Sequence, residues 1–232
     1  MRPQVVDRET WLRSRAALLA REKAHTREGD AIAAARRRLP MVEVDPTVAL
    51  VGAKGPTPLH DIFEGRDQLL VCKHMWHRGQ SFADQCRGCT ATVWNFQDPT
   101  YLEARGVTFA VWCQGPYPEF APYRDFMGYR APWYSVDGID VPGISDGWIT
   151  TYLRVGDRIF QTYETDERGV EVMMPALQLL DLTVYGRQEE WEDSPEGWPQ
   201  DPTQSWFVRD GRPIPQWTRL MPGSAEVGAD CG

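Results

Sequence analysis

The sequence predicts an α/β fold: a sheet flanked by helices, with an N-terminal helical arm and an irregular C-terminal tail. Three observations carry this. Two apolar runs, residues 68–73 and 107–113, read as strands buried on both faces, and the helix-forming stretch between them completes a βαβ unit whose strands run parallel. Residues 149–155 and 158–164 flank Gly156-Asp157, a two-residue hairpin signal with glycine first. Strong helix formers fill the stretch between Asp7 and Pro40 with no proline among them.

In chain order, Asp7 is placed to cap a helix over 8–39 that Pro40 stops. Its apolar residues Trp11, Leu12, Ala16, Leu19 and Ile32 form a thin stripe, suited to lying across another surface rather than nucleating a core. Alternating apolar residues over 41–51, around Asp45-Pro46, predict a hairpin or two short edge strands, and 52–58 a turn. A short helix over 59–63 ends at Gly65 and leads into the first buried strand. Residues 89–96 read as helix, Asp98-Pro99 restarts it, and Gly106 ends it before the second strand. After the Gly115-Pro116 turn comes an amphipathic helix over 118–127. Residues 131–147 read as a loop with at most a short strand. Beyond the hairpin, apolar residues at 173, 174, 177 and 180, with Pro175 in the first turn, predict a closing helix over 172–182.

From Gly186 the composition shifts to Trp, Pro, Asp and Glu. Trp191, Trp198, Trp206 and Trp217 predict a tail whose indoles pack onto the body, a ligand-stacking platform being the sharper alternative. Residues 225–232 read as disordered, with Cys231 incidental. The expected division is an arm (1–40), a domain (41–186) and a wrapping tail (187–232).

Composition narrows the function. The 232 residues, 42% of them hydrophobic, suffice for one domain with extensions. No run approaches a membrane span, and Met1-Arg2-Pro3 leads into a charged stretch instead of a signal core, which predicts a cytoplasmic protein with no membrane partner. Five cysteines (72, 86, 89, 113 and 231) make an odd, sparse set, expected to be reduced at rest. Residues 2–38 carry ten basic and five acidic side chains, the remainder fifteen and twenty-eight. An acidic body argues against nucleic acid, and a basic arm on it predicts contact with the body or a partner, most simply in a homodimer.

The chemistry concentrates between Gln68 and Asp98. Cys86-Arg87-Gly88-Cys89 falls at a helix start after a buried strand, where unpaired amides and the helix dipole stabilise a thiolate. The spacing assigns Cys86 as nucleophile and Cys89 as resolving thiol, with Arg87 favouring the thiolate and a thiol or disulfide as substrate. This reading requires no cofactor. Cys72 and Cys113, within apolar strands, are expected to be inert. The alternative joins His74 and His77 to the two cysteines as a tetrahedral zinc or copper site, against the plainer reading of the histidines as a polar loop. Glu189, Glu190, Glu192 and Asp193 suggest an acidic site or, more simply, carboxylates that are solvated or paired with the basic arm. Tyr117, Tyr123, Tyr129 and Trp133 suggest a pocket wall or core. No phosphate loop, dinucleotide fingerprint or Ser-His-Asp signature is present. A catalytically silent interaction domain is the third class.

Strand, helix, strand, helix, hairpin and helix, with a Cys-x-x-Cys at the first of these helices, resemble a thioredoxin-like fold. The similarity extends through Arg8-Glu9-Thr10-Trp11-Leu12, Arg36-Arg37-Arg38-Leu39-Pro40, Gly115-Pro116-Tyr117, Tyr123-Arg124-Asp125-Phe126-Met127-Gly128, Leu180-Asp181-Leu182-Thr183-Val184-Tyr185-Gly186-Arg187-Gln188-Glu189 and Trp191-Glu192-Asp193-Ser194-Pro195. Together these resemble a bacterial family of thioredoxin-like proteins described as predicted dithiol-disulfide oxidoreductases, up to about residue 206. The resemblance implies redox chemistry at Cys86 and Cys89, and thioredoxin-like copper chaperones show that such a scaffold also hosts metal. Thioredoxins proper carry tryptophan before the first cysteine and proline between the two, where this chain has Gln85 and Arg87-Gly88. Their cis-proline has its best counterpart here in Pro142.

Overall fold

The computed structural model describes residues 2–220; Cys231 and the stretch read as disordered lie outside them. The chain divides into two compact units, one running up to Pro40 together with Pro195–Trp198, the other comprising Met41–Ser194 and the chain from Pro199 onward. The first is dominated by α1 (Arg8–Arg36), which Asp7 caps by accepting the Thr10 backbone N–H at 2.7 Å. Ion pairing between Glu9 and Arg13, one turn apart, adds local support. None of the helix's residues is buried, as its thin apolar stripe leads one to expect.

The second unit is a mixed sheet with layers on both faces. In chain order it contains β1 (Val42–Val44), β2 (Ala49–Gly52), β3 (Gly55–Pro58), α2 (Leu59–Ile62), β4 (Gln68–His74), α3 (Arg87–Asn95), α4 (Thr100–Glu103) and β5 (Val107–Cys113). There follow α5 (Tyr117–Met127), β6 (Trp133–Ser135), β7 (Ile149–Val155), β8 (Arg158–Thr165), α6 (Pro175–Leu180), β9 (Val208–Arg209), β10 (Arg212–Pro213) and α7 (Ile214–Trp217). Eight strands form one sheet in the order β1-β8-β7-β4-β5-β6-β2-β3, and β9 and β10 pair separately. β4 and β5 run parallel from Gln68 opposite Val107 to His74 opposite Cys113, while β7 and β8 close antiparallel. The order β4-α3-β5-α5-β7-β8-α6, with β8-β7-β4-β5 as sheet neighbours, is thioredoxin-like.

Alternation along the central strands assigns the two cores. Leu69, Val71, Ala110 and Trp112 face a cluster with Leu59, Ile62 and Phe63 of the α2 region. Cys72, Phe109, Val111 and Cys113 face the other, with Val93 of α3 and Phe120, Tyr123 and Met127 of α5. At the C-terminus of α5, Gly128 adopts the left-handed conformation (φ 69°) and its N–H bonds back to the last turn.

Three local expectations are corrected. β1 and β2 do not form a hairpin: β1 pairs with β8 at one edge, while β2 pairs with β3 and β6 at the other. Much of the expected 52–58 turn is β3, where two prolines are tolerated because the strand has one free edge. The closing helix begins only at Pro175, since Glu167–Met173 winds as 3-10 helix and proline supplies no N–H to continue it backwards.

Candidate functional site

The dithiol sits where β4 hands over to α3. After His74 the chain loops out, makes a single 3-10 turn over Phe82–Asp84, passes Gln85 in extended conformation and enters α3 with Cys86 as its N-cap. Buried Gln85, at the position where thioredoxins carry tryptophan, fixes this loop. Its Oε1 accepts the His77 backbone N–H at 2.9 Å, and its Nε2 donates to the carbonyls of His77 (2.9 Å) and Gln80 (3.3 Å). Behind α3, Thr90 Oγ1 donates to the Cys86 carbonyl at 2.9 Å and shares a 2.6 Å hydrogen bond with Tyr123 of α5. The Tyr123 hydroxyl meets Gln216 Nε2, which also donates to the Phe82 carbonyl at 2.7 Å. A core helix and the far C-terminal segment therefore both brace the dithiol turn.

The two sulfurs occupy different environments. Cys86 is half-buried, and its Sγ accepts the Cys89 backbone N–H at 3.3 Å, the cap position usually held by serine or aspartate. The Cys89 thiol hydrogen-bonds to it, and this, against the opposing effect of burial, with further help from the Cys89 and Gly88 amides and His77, lowers its pKa to about 6. Cys89 is buried and titrates well above the ordinary thiol range, because of its hydrogen bond to Cys86, desolvation and the neighbouring negative sulfur. Its own Sγ accepts the Met75 backbone N–H at 3.4 Å. Cys72 and Cys113 are buried thiols whose pKa values burial pushes up to about 12. The described cysteines are all free.

Arg87 is exposed beside the dithiol, and His77 makes the smallest of the contributions that lower the Cys86 pKa. His77 lies near Cys86 because its Nδ1 is hydrogen-bonded to the Asp84 carbonyl at 2.9 Å. His74 is fully buried against Tyr123 and Trp133, with Nδ1 2.6 Å from the Met75 carbonyl. The proposed zinc or copper set His74, His77, Cys86 and Cys89 does not gather: among the described residues no group of three or more His, Cys, Asp or Glu side chains is arranged to hold a metal ion. The reason is local. β4 buries the His74 ring within the core, while His77 is exposed and turned toward the Asp84 carbonyl.

A cavity of about 840 Å³ opens over the dithiol. Cys86, Arg87, Gly88 and Cys89 line it together with Cys72 and Lys73 from β4 and Trp148 before β7. Met174 and Leu177 line it as well, and the tail contributes Trp191, Trp206 and Phe207. Pro142 is exposed and preceded by a trans bond, and no cis peptide occurs among the described residues; Trp148 is the residue that introduces β7.

The tail's anchoring was invisible in its composition. Buried Arg187 donates from Nε and Nη2 to both Asp181 oxygens at 2.8 Å and from Nη1 to Glu171 at 2.9 Å. Glu189, expected to be solvated, is buried and accepts the Trp191 indole N–H at 2.7 Å and the Gln204 backbone N–H. Arg168 stacks on the Trp191 ring at 4.4 Å. The tail indoles differ in burial: Trp206 and Trp217 are half-buried, whereas Trp191 remains 46% exposed. Tyr123, Tyr129 and Trp133 are core residues and do not line the cavity. No helix among the described residues is long and apolar enough to cross a membrane.

Compared with known proteins, the chain matches a family model described as "Bacterial protein of unknown function (DUF899)" over residues 1–143 and 140–212. No curated protein matches it. Among solved structures, a Chlorobium tepidum protein assigned as a thiol:disulfide interchange protein DsbE is 15% identical, covers 60% of this chain and 98% of its own, and superposes with a TM-score of 0.39. A secreted Mycobacterium tuberculosis disulfide oxidoreductase homologous to E. coli DsbE is 10% identical, with coverage of 56% and 96% and a TM-score of 0.32.

Proposed function

The chain belongs to this bacterial family of unknown function, and from the chemistry of its Cys-x-x-Cys we propose that it is a thiol-disulfide oxidoreductase with Cys86 as attacking sulfur and Cys89 as resolving sulfur. The single observation supporting this most directly is the asymmetry of the pair. Cys86 is accessible and held as thiolate near neutral pH, whereas Cys89 is buried and protonated.

In the proposed cycle the Cys86 thiolate attacks one sulfur of a disulfide R–S–S–R′. A Cys86–S–S–R bond forms, the R–S–S–R′ bond breaks, and R′–S⁻ leaves to take a proton. Formation of the mixed disulfide removes the negative charge on Cys86 that held the Cys89 proton in place, so Cys89 can lose it to solvent. The Cys89 thiolate then attacks Cys86 Sγ and expels R–S⁻. Two electrons pass from the dithiol to the substrate, which leaves as two thiols, and exchange with an external dithiol reductant restores Cys86 and Cys89. Gln85, Thr90 and Tyr123 act as positioning residues.

The test is disulfide reduction by the purified chain supplied with a dithiol reductant. Cys86→Ser is expected to fall to the uncatalysed rate, and Cys89→Ser to accumulate a mixed disulfide at Cys86. Full activity in Cys86→Ser would overturn the proposal.

A further inference from the structure

Eight charged side chains line the cavity over the dithiol, and six of them are already engaged. Arg168 and Arg187 both bond to Glu171. Glu189 is held by Trp191 and Gln204, Asp84 accepts the Ser81 hydroxyl at 2.7 Å, and the Lys73 ammonium donates to the Asp146 carbonyl. Arg87 and Glu167 remain. Neither has a hydrogen-bond or ion-pair partner among the described residues, and both are exposed while lining the cavity. Glu167 is, moreover, a non-glycine residue in the left-handed region (φ 46°) at the start of its 3-10 turn.

The cavity is also of small-molecule size. Its volume of about 840 Å³ falls within the range of roughly 300–1,000 Å³ common to such sites. Phe207 of the tail leans over the first turn of α3, 3.8 Å from where a side chain on Gly88 would begin. Met174, Leu177, Trp206 and Phe207 make one side apolar, suited to the methylene and sulfur atoms of a ligand.

Resting on the oxidoreductase reading above, we infer that the substrate is a small disulfide of the amino-acid or short-peptide class, whose carboxylate pairs with Arg87 and whose ammonium pairs with Glu167 while a sulfur is presented to Cys86. Guanidinium suits a carboxylate through two parallel hydrogen bonds. The Glu167 carboxylate supplies the opposite charge within the same cavity. The exchange follows the two steps already given, releasing two amino-acid thiols per disulfide and leaving the Cys86–Cys89 bridge for the external dithiol to reduce.

The experiment compares kcat/KM for four small disulfides and one protein-borne one: cystine, its diacetyl form lacking ammonium, its dimethyl ester lacking carboxylate, uncharged bis(2-hydroxyethyl) disulfide, and insulin. Cystine is expected to exceed the uncharged disulfide by ~10-fold or more, the scale of a charge-assisted contact, with the two blocked forms between. Arg87→Gln is expected to erase the advantage of diacetyl-cystine over the uncharged disulfide, and Glu167→Gln that of the dimethyl ester. Each is read as a ratio within one variant, so a general loss of activity does not obscure it. Equal turnover of all four small disulfides, unchanged ratios in the variants, or a preference for insulin would overturn the substrate assignment while leaving the oxidoreductase intact. No turnover of any substrate, together with no Cys86–Cys89 bridge on oxidation, would remove both.

Discussion

At the scale of single residues, proton affinity separates the cysteines. With the Cys86 pKa near 6, its alkylation rate is expected to rise with pH through about 6 and level off above it, mapped by peptide mass. Cys72 and Cys113 should stay slow because burial holds them protonated. His77→Gln should move the Cys86 midpoint upward; an unmoved midpoint would discharge His77 from that role. His74 links the core to pH in a separate way. Burial holds its pKa down to about 4 against an ordinary 6.5, so between these values the unfolded chain binds a proton that the folded chain does not. The resulting stabilisation is complete above pH 6.5 and lost as pH falls toward 4, amounting to ~3 kcal/mol. Denaturant titrations across that window should show this slope, and His74→Gln should flatten it. The sequence made the dithiol legible because two cysteines at helix spacing are chemically conspicuous. It assigned thiolate stabilisation to the amides at the helix start, which the Cys89 and Gly88 N–H groups supply, and further help to Arg87 by adjacency; it did not name His77, nine residues before Cys86, whose smaller contribution depends on the loop folding back.

Among the elements, the 77–85 loop and the tail decide whether the dithiol keeps its geometry. Gln85→Ala would leave the His77 N–H and two carbonyls without their side-chain partner, at a cost of ~1–3 kcal/mol. Chemical denaturation should register this, with slower disulfide exchange. Arg187→Ala would strand Asp181 and Glu171 and is expected to cost ~2–3 kcal/mol, less than a fully buried pair because both acids remain partly exposed. Glu171 shows the balance: burial works against its charge, yet hydrogen bonds from Arg168 and Arg187 hold its pKa below the ordinary value. Its contribution is therefore present above about pH 4.5 and lost as pH falls through its lowered folded value. Central strands were legible because burial on both faces writes a continuous apolar run. The β1 and β2 pairings were not, because local alternation predicts a strand without naming its partner across the sheet. Nor was the tail's inward-facing Arg187 and Glu189, since a charged sequence looks solvated until its partners are known.

For the whole molecule, the proposal of a homodimer rests on α1, a 29-residue helix with no buried residue and with Trp11, Leu12, Leu18 and Leu19 exposed. Light scattering is expected to give twice the chain mass, reduced to one on Trp11→Glu/Leu18→Glu; a monomer at working concentration would contradict this. The fold itself serves one arrangement. A parallel β4–β5 pair ends beneath the start of α3, α5 braces that helix from the core through Tyr123, and α6 and the tail line the cavity over the sulfurs. The most direct measurement of whether that arrangement is a redox centre is thiol counting with peptide mapping, before and after mild oxidation and again after dithiol treatment. Loss of two thiols as a Cys86–Cys89 bridge that dithiol reverses is the expected result. Unchanged thiols, or a bridge that involves neither Cys86 nor Cys89, would contradict it.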